Sequence, residues 1–412
     1  MSEVALQHEA LHPQSVAADV GSPVPPPGLR RSTHYVVELE SLRGLAILLV
    51  FVHHTAALVD GTGIHAGVLV SPLRAFVHAG QTGVSLFFIL SAFLLSLPFL
   101  EEAAGGRRVV RADYFARRAL RILPLYYAAI VAASVLCAQR PADLLRGVPY
   151  FFFLNSIAGM TTWLLPYSAV WWSLATEIQF YLVLPLLPLV LRSRRGRWLG
   201  AGLLVLYGAA YAAFVHGTLH MSSPGGQVVL GLSLFGRAPQ FLLGVLAAWI
   251  YRQYGEHIRA RCRQMRWLRW GGADVALAAT LVGLGFLLRK VVYIGFWRAE
   301  TDWQVWHVLE GGFWSAVLML VLLTPLCSKR LFSNPALRLL GVLSYSIYLL
   351  HNGVLYGLLR VLTPVMPGPI HGLSVQTFVF AGLAGVCSCG LAALTYRAIE
   401  RPFLIRKARL DR

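Results

Sequence analysis

Apolar stretches of about 17 to 25 residues, the length that crosses a bilayer as a helix, recur along this whole chain. In hydrocarbon, backbone N–H and C=O groups find no water, so a spanning segment must be a helix or part of a closed barrel. A barrel would show alternating segments of about ten residues, and the sequence has none. The expected fold is therefore all-α, a polytopic transmembrane helical bundle. Composition agrees: 57% of the 412 residues are hydrophobic and only 13% charged, against about a quarter charged in an average soluble domain.

Ten spans are expected, near 41–59, 79–99, 122–139, 170–191, 198–216, 230–250, 273–290, 312–327, 338–360 and 374–396. The short apolar run Tyr150-Phe-Phe-Phe-Leu154 is expected to be interfacial or re-entrant. The net charge of +18 would suggest nucleic acid in a soluble protein. Here the arginines cluster between spans, as topology determinants on the cytoplasmic side do, and no nucleic-acid partner is expected. Arg107, Arg108, Arg111, Arg117, Arg118 and Arg121 follow span two, and Arg192, Arg194, Arg195 and Arg197 follow span four. Six arginines from Arg252 to Arg269 follow span six, Lys329, Arg330 and Arg338 follow span eight, and the C-terminal end is basic again. The stretches 217–229 and 361–373 hold neither Lys nor Arg. Both termini are therefore expected in the cytoplasm.

Residues 1–34 are polar, with Pro23 and Pro25-Pro26-Pro27, and are expected to form a disordered cytoplasmic tail. They lack the apolar core of a signal peptide. Residues 35–402 are expected to be the membrane domain and 403–412 a basic cytoplasmic tail, with no soluble catalytic domain appended. Five cysteines lack metal-ligand spacing, and no metal site is expected.

Ionisable groups at membrane depth are costly and are usually functional. In the first span Arg43 precedes His54 by eleven residues, about 16 Å and three turns of helix, so both lie on one face. His53 points roughly 100° away from that face. Counting along the spans puts Glu177, Arg237 and His351 at the depth of His54, one layer toward the outer half of the membrane. Such groups neutralise and orient one another; the structural alternative is an ion pair between Glu177 and Arg237 that fixes helix packing. At the cytoplasmic entrance of span three, Arg118 and Arg121 are one turn apart. That pair suits phosphate, although topology bias alone yields the same residues.

At these positions the sequence resembles the acyltransferase-3 family of integral membrane O-acyltransferases, from about Glu38 to Pro402. Arg43 and His54 fit its signature of Arg, ten residues, then His. Gly83 to Phe93 is similar to its second span, with Ser91-Ala92-Phe93 where Ser-Gly-Phe is usual. Arg118 and Arg121 fit its Arg-x-x-Arg element, and Trp172-Ser-Leu-Ala-Thr-Glu177 its Trp-Ser-Leu-x-x-Glu segment. Ser344 to His351 and Glu400-Arg401-Pro402 match its closing motifs.

The resemblance implies an acyltransferase in a bacterial cytoplasmic membrane, with acyl-CoA, acetyl-CoA foremost, as donor substrate and no bound cofactor. It implies donor phosphates near Arg118 and Arg121 with help from Arg43, and catalysis by His54 and Glu177. Arg237, His351 and Tyr181 would form a supporting polar layer. His54 would act either as general base on an acceptor hydroxyl or as acyl carrier. The expected acceptor is a lipid-linked or exported carbohydrate, with a small molecule such as a macrolide sugar second. A proton-coupled transporter using the same charged layer, or a structural partner in an export complex, are the rival classes.

Overall fold

The computed structural model describes residues 36–409 apart from 61–69, 155–166, 169, 217–223, 367, 369, 371 and 373. The tail expected over 1–34, and parts of the two stretches free of Lys and Arg, lie outside the described residues. Among those residues there are sixteen α-helices. The first eight are α1 (Val37–Val59), α2 (Pro72–His78), α3 (Thr82–Ala103), α4 (Arg111–Cys137), α5 (Val148–Phe151), α6 (Trp172–Val183), α7 (Leu187–Arg192) and α8 (Arg194–Val215). The rest are α9 (Pro224–Leu232), α10 (Leu234–Gln264), α11 (Ala273–Ile294), α12 (Phe296–Asp302), α13 (Trp306–Leu323), α14 (Pro335–Leu362), α15 (Val375–Thr395) and α16 (Arg401–Arg409). Ten helical segments are long and apolar enough to cross a membrane, one for each expected span.

Several helices run past their apolar limits. Helix α4 starts at Arg111 rather than near 122, so Arg117, Arg118 and Arg121 sit on helix and not in a loop. Helix α13 starts at Trp306 rather than near 312, which takes in His307 and Glu310. The reason is that arginine and glutamate are good helix formers; hydropathy marks where lipid ends, not where the helix does. Of the basic C-terminal stretch, residues up to Arg409 are helical.

Helix α3 is the centre of the bundle, with 72% of its apolar window buried, whereas α8 has only 11% buried and presents its leucines outward. Helices in lipid approach through small residues, because apolar side chains gain little over lipid tails. A Cβ on Gly44 of α1 would strike the Leu337 carbonyl of α14, and one on Gly341 of α14 would strike the Glu40 carbonyl of α1. Gly244 of α10 likewise lies against Ile89 and Ala92 of α3. Helix α14 begins cleanly because Asn334 accepts from the N–H groups of Ala336 and Leu337 at 2.8 and 3.3 Å, with Pro335 in the first turn.

The Tyr150–Leu154 run is a single turn of helix that leads into a turn. Tyr150 is buried, and the Phe153 ring stacks on Tyr126 with centroids 4.9 Å apart.

Candidate active site

The close packing of α1 on α14 brings two histidines together. The His54 and His351 rings meet edge to face with centroids 5.1 Å apart, and the His53 ring centre lies 5.0 Å from that of His54. His54 Nδ1 is 2.8 Å from the Val50 carbonyl. A carbonyl only accepts, so Nδ1 carries the hydrogen and Nε2 presents its lone pair. His351 is locked in the same sense, with Nδ1 2.9 Å from the carbonyls of both Ile347 and Tyr348. Its Nε2 is buried without a partner.

Helix α6 is pinned to α14 beside this pair. Trp171 Nε1 donates to the Leu349 carbonyl at 3.0 Å, Ser173 and Tyr348 share a hydrogen bond of 2.6 Å, and Tyr348 donates to the Val170 carbonyl. Helix α6 then carries Glu177 inward, where it accepts from the hydroxyls of Ser91 and, at 2.5 Å, Tyr181. Tyr114 of α4 donates to the Tyr181 carbonyl at 3.3 Å. The His54 ring is held by Val50, whereas the Glu177 carboxylate is engaged with Ser91 and Tyr181. Glu177 belongs to another group: Arg43 lies within electrostatic reach of Arg121, Glu177, Tyr181 and Arg118.

Arg118 and Arg121 are differently placed. Arg121 pairs with Glu400 at 3.7 Å and lies 5.9 Å from the Tyr345 ring centre; Glu400 also accepts from Ser346. The Glu400-Arg401-Pro402 motif thus supplies the carboxylate that holds one arginine of the pair. Arg118 keeps its Nε buried with no partner.

Arg237 has other partners, and the alternative of an ion pair between it and Glu177 is not formed. Its guanidinium bonds to Glu300 Oε2 and to His307 Nδ1, both at 2.8 Å, and stands 5.0 Å from the Trp172 ring centre. Because arginine only donates, His307 Nδ1 is the acceptor and Nε2 donates to Glu300 at 3.2 Å. Glu310 completes the network, accepting from Ser85 at 2.8 Å and Gln240 at 2.9 Å. Glu300, His307, Glu310 and Gln240 are all 0% exposed. Sequence reasoning missed them. The signal was present in His307 and Glu310, three residues apart at the edge of an apolar run, but the span was drawn to begin after both.

The single expected layer is therefore two arrangements. Arg43, His54, Arg118, Arg121 and Glu177 each keep part of their surface uncovered, so a substrate can meet them. The Arg237 network is sealed from solvent. Among the described residues no cluster of His, Cys, Asp or Glu is arranged to hold a metal.

Comparison with known proteins agrees with the motifs. The chain is 24% identical over 394 residues to a putative peptidoglycan O-acetyltransferase, YrhL of Bacillus subtilis, covering 89% of this chain and 55% of that protein. It is 24% identical over 405 residues to the peptidoglycan O-acetyltransferase OatA of Listeria monocytogenes, covering 92% and 57%. A putative acetyltransferase, ORF330 of Acidianus two-tailed virus, is 25% identical over 327 residues, covering 77% and 83%. The chain thus spans little more than half the length of the first two relatives. No solved structure matches it. The family profile described as an acyltransferase domain fits residues 36–397, and the chain therefore belongs to the acyltransferase-3 family of integral membrane acyltransferases.

Proposed function

We propose that this protein moves an acetyl group from acetyl-CoA to a hydroxyl of an exported or lipid-linked carbohydrate, peptidoglycan being the foremost candidate, in a bacterial cytoplasmic membrane. The observation that carries this is the set of partly uncovered polar groups. Arg118, Arg121 and Arg43 are grouped with Glu177, and His54 stands about 16 Å further along α1 from Arg43. In the basic-side-in orientation favoured by the loop charges, the arginines face the cytoplasm, where acyl-CoA is available, and His54 faces the acceptor side. The peptidoglycan O-acetyltransferase names of two relatives support the acceptor class.

The arginines hold donor phosphates. Glu177 supplies the countercharge to Arg43 and fixes Ser91 and Tyr181 along the donor path. His54 takes the hydroxyl proton through Nε2, the nitrogen left free by Val50, and the hydroxyl oxygen attacks the thioester carbonyl as the thiolate leaves. Against the transporter alternative stands the commitment of Arg237 to Glu300.

The test is acetyl transfer from radiolabelled acetyl-CoA to soluble peptidoglycan fragments by the purified protein in nanodiscs. His54→Ala is expected to lower kcat by about 10²–10⁴-fold, the usual worth of a general base, with acetyl-CoA binding retained. Unchanged transfer by that variant would remove His54 from the chemistry.

A further inference from the structure

A cavity of about 590 Å³ lies at the end of α14 remote from the basic connections, lined in part by Tyr167, Tyr356, Leu359, Arg360 and Thr363. Its size is that of a small-ligand site. A Cβ on Gly353 would stand 2.9 Å from the Tyr167 ring, so the glycine lets that ring close against α14 as one wall. The Tyr167 and Tyr356 hydroxyls bond to no described residue, and Arg360, which is exposed, has no ion-pair partner among the described residues. The Thr363 hydroxyl donates to the Leu359 carbonyl at 2.7 Å, which leaves its lone pairs to accept. An aromatic belt and a helix-end cation account for these residue types, but not for a cavity between them.

Residues three and four apart share a helix face, and Tyr345, Tyr348, Asn352, Tyr356, Arg360 and Thr363 form such a row along α14. At one end of the row Tyr345 meets Arg121 of the donor site; at the other is the cavity. Between them Asn352 is only 2% exposed. Its carboxamide nevertheless bonds to no described residue, and neither of its polar atoms is sealed away. An unsatisfied, nearly buried amide therefore sits one turn inward of Tyr356. Tyr356 lies about 7.5 Å along the axis beyond His351, the residue that touches His54. His351 itself faces α1, roughly 100° around the helix from the row.

We propose that this cavity is an acceptor subsite, which holds a sugar unit bearing a carboxylate or phosphate, removed from the hydroxyl that is acetylated. This rests on the reading of the protein as an acetyltransferase that acts on an exported or lipid-linked carbohydrate. The tyrosine rings offer apolar faces to the C–H side of a sugar and hydroxyls to its O–H groups. The Arg360 guanidinium makes two parallel hydrogen bonds to the anionic group. In the basic-side-in orientation the cavity faces outward, where the acceptor is, and the donor enters at the other end of the row. Binding away from the reacting centre then fixes the acceptor without touching the chemistry.

The measurement is acetyl transfer in nanodiscs to soluble peptidoglycan fragments, either intact or with their carboxylates capped as methyl amides. Fragment affinity is read separately by calorimetry, with melting temperature and acetyl-CoA affinity on the same samples. Arg360→Ala is expected to raise KM and Kd for intact fragments about 10–100-fold, the worth of one charge-assisted hydrogen bond, with acetyl-CoA affinity and melting temperature retained. Capping the carboxylates is expected to weaken binding to the unaltered protein by a similar factor, and to the Arg360→Ala variant no further. Tyr356→Ala is expected to raise the fragment KM and Tyr356→Phe to restore most of the loss. Unchanged fragment affinity in Arg360→Ala and Tyr356→Ala would overturn the proposal. So would a fall in melting temperature and kcat together at unchanged KM, or failure of both variants to fold, since each marks a packing role. An Arg360 effect that appears only in nanodiscs of anionic lipid assigns the cavity to a lipid headgroup and also rejects the proposal. If the unaltered protein binds fragments through Arg360 but transfers no acetyl group, the acetyltransferase reading fails and the subsite stands; transfer that ignores both residues rejects the subsite alone.

Discussion

A histidine in a membrane helix has one nitrogen for its own backbone and one for chemistry, and here the helix decides which. His54 Nδ1 lies on Val50, one turn back, so Nε2 faces out of the helix toward whatever binds. At Arg118 the same kind of accounting applies, because its Nε is buried and unpaired while the neighbouring Arg121 is held by Glu400. Arg118 is thus the cation with capacity to spare for a donor phosphate. Arg118→Ala is expected to raise the acetyl-CoA Kd about 10–100-fold, the equivalent of one charge-assisted hydrogen bond of roughly 1.5–3 kcal/mol, and equilibrium binding in detergent checks it. The motif-bearing residues were legible in the sequence because each is a polar side chain at a rigid helical spacing. Their partners were not. Glu177 and Arg237 are charges of opposite sign, yet each finds a nearer partner across a different helix interface.

At the scale of elements, two devices fix the bundle. The first is the Arg237 network, which ties α10, α12 and α13 together. Breaking a buried ion pair leaves an uncompensated charge, so Glu300→Gln is expected to destabilise the protein by about 3–5 kcal/mol, seen as a lower melting temperature. Burial pushes the Glu300 carboxyl up, but Arg237 and His307 outweigh it and hold the group below the ordinary carboxylate value of 4.5. A folded-state value below the unfolded one means that this contribution is present above pH 4.5 and is lost as the pH falls through the folded value. The Glu300→Gln variant should therefore show a flatter acid limb in a plot of melting temperature against pH. The second device is the reciprocal glycine contact of α1 and α14, where Gly44 and Gly341 each face a backbone carbonyl of the other helix. Gly44→Ala forces the helices apart at an overpacking cost of about 1–3 kcal/mol. It is expected to lower turnover as well, because His54 and His351 ride on those two helices; the paired readout is melting temperature with kcat.

For the whole molecule, the ten crossings and the basic connections predict a definite sidedness that one native residue reports. Cys327 is an exposed free thiol between α13 and α14, on the side expected to be cytoplasmic. In a variant with the other four cysteines replaced, a membrane-impermeant maleimide is expected to label Cys327 only after the cells are permeabilised. Labelling of intact cells would invert the orientation, and with it the proposed separation of donor and acceptor.

The sequence by itself determined the class, the ten spans and the residues that carry the family's motifs. These follow from chain-local physics: the hydrophobic length that crosses a bilayer, the bias of arginine toward one side, and the rise and turn of a single helix. Only the tertiary structure decided which polar groups meet. Pairing depends on how helices rotate and slide against one another, and that is set by small-residue contacts such as Gly44 on α14 rather than by depth in the membrane. So His54 stands against His351, Glu177 against Ser91 and Tyr181, and Arg237 against Glu300, although a count of residues along each span had put all four at a single level.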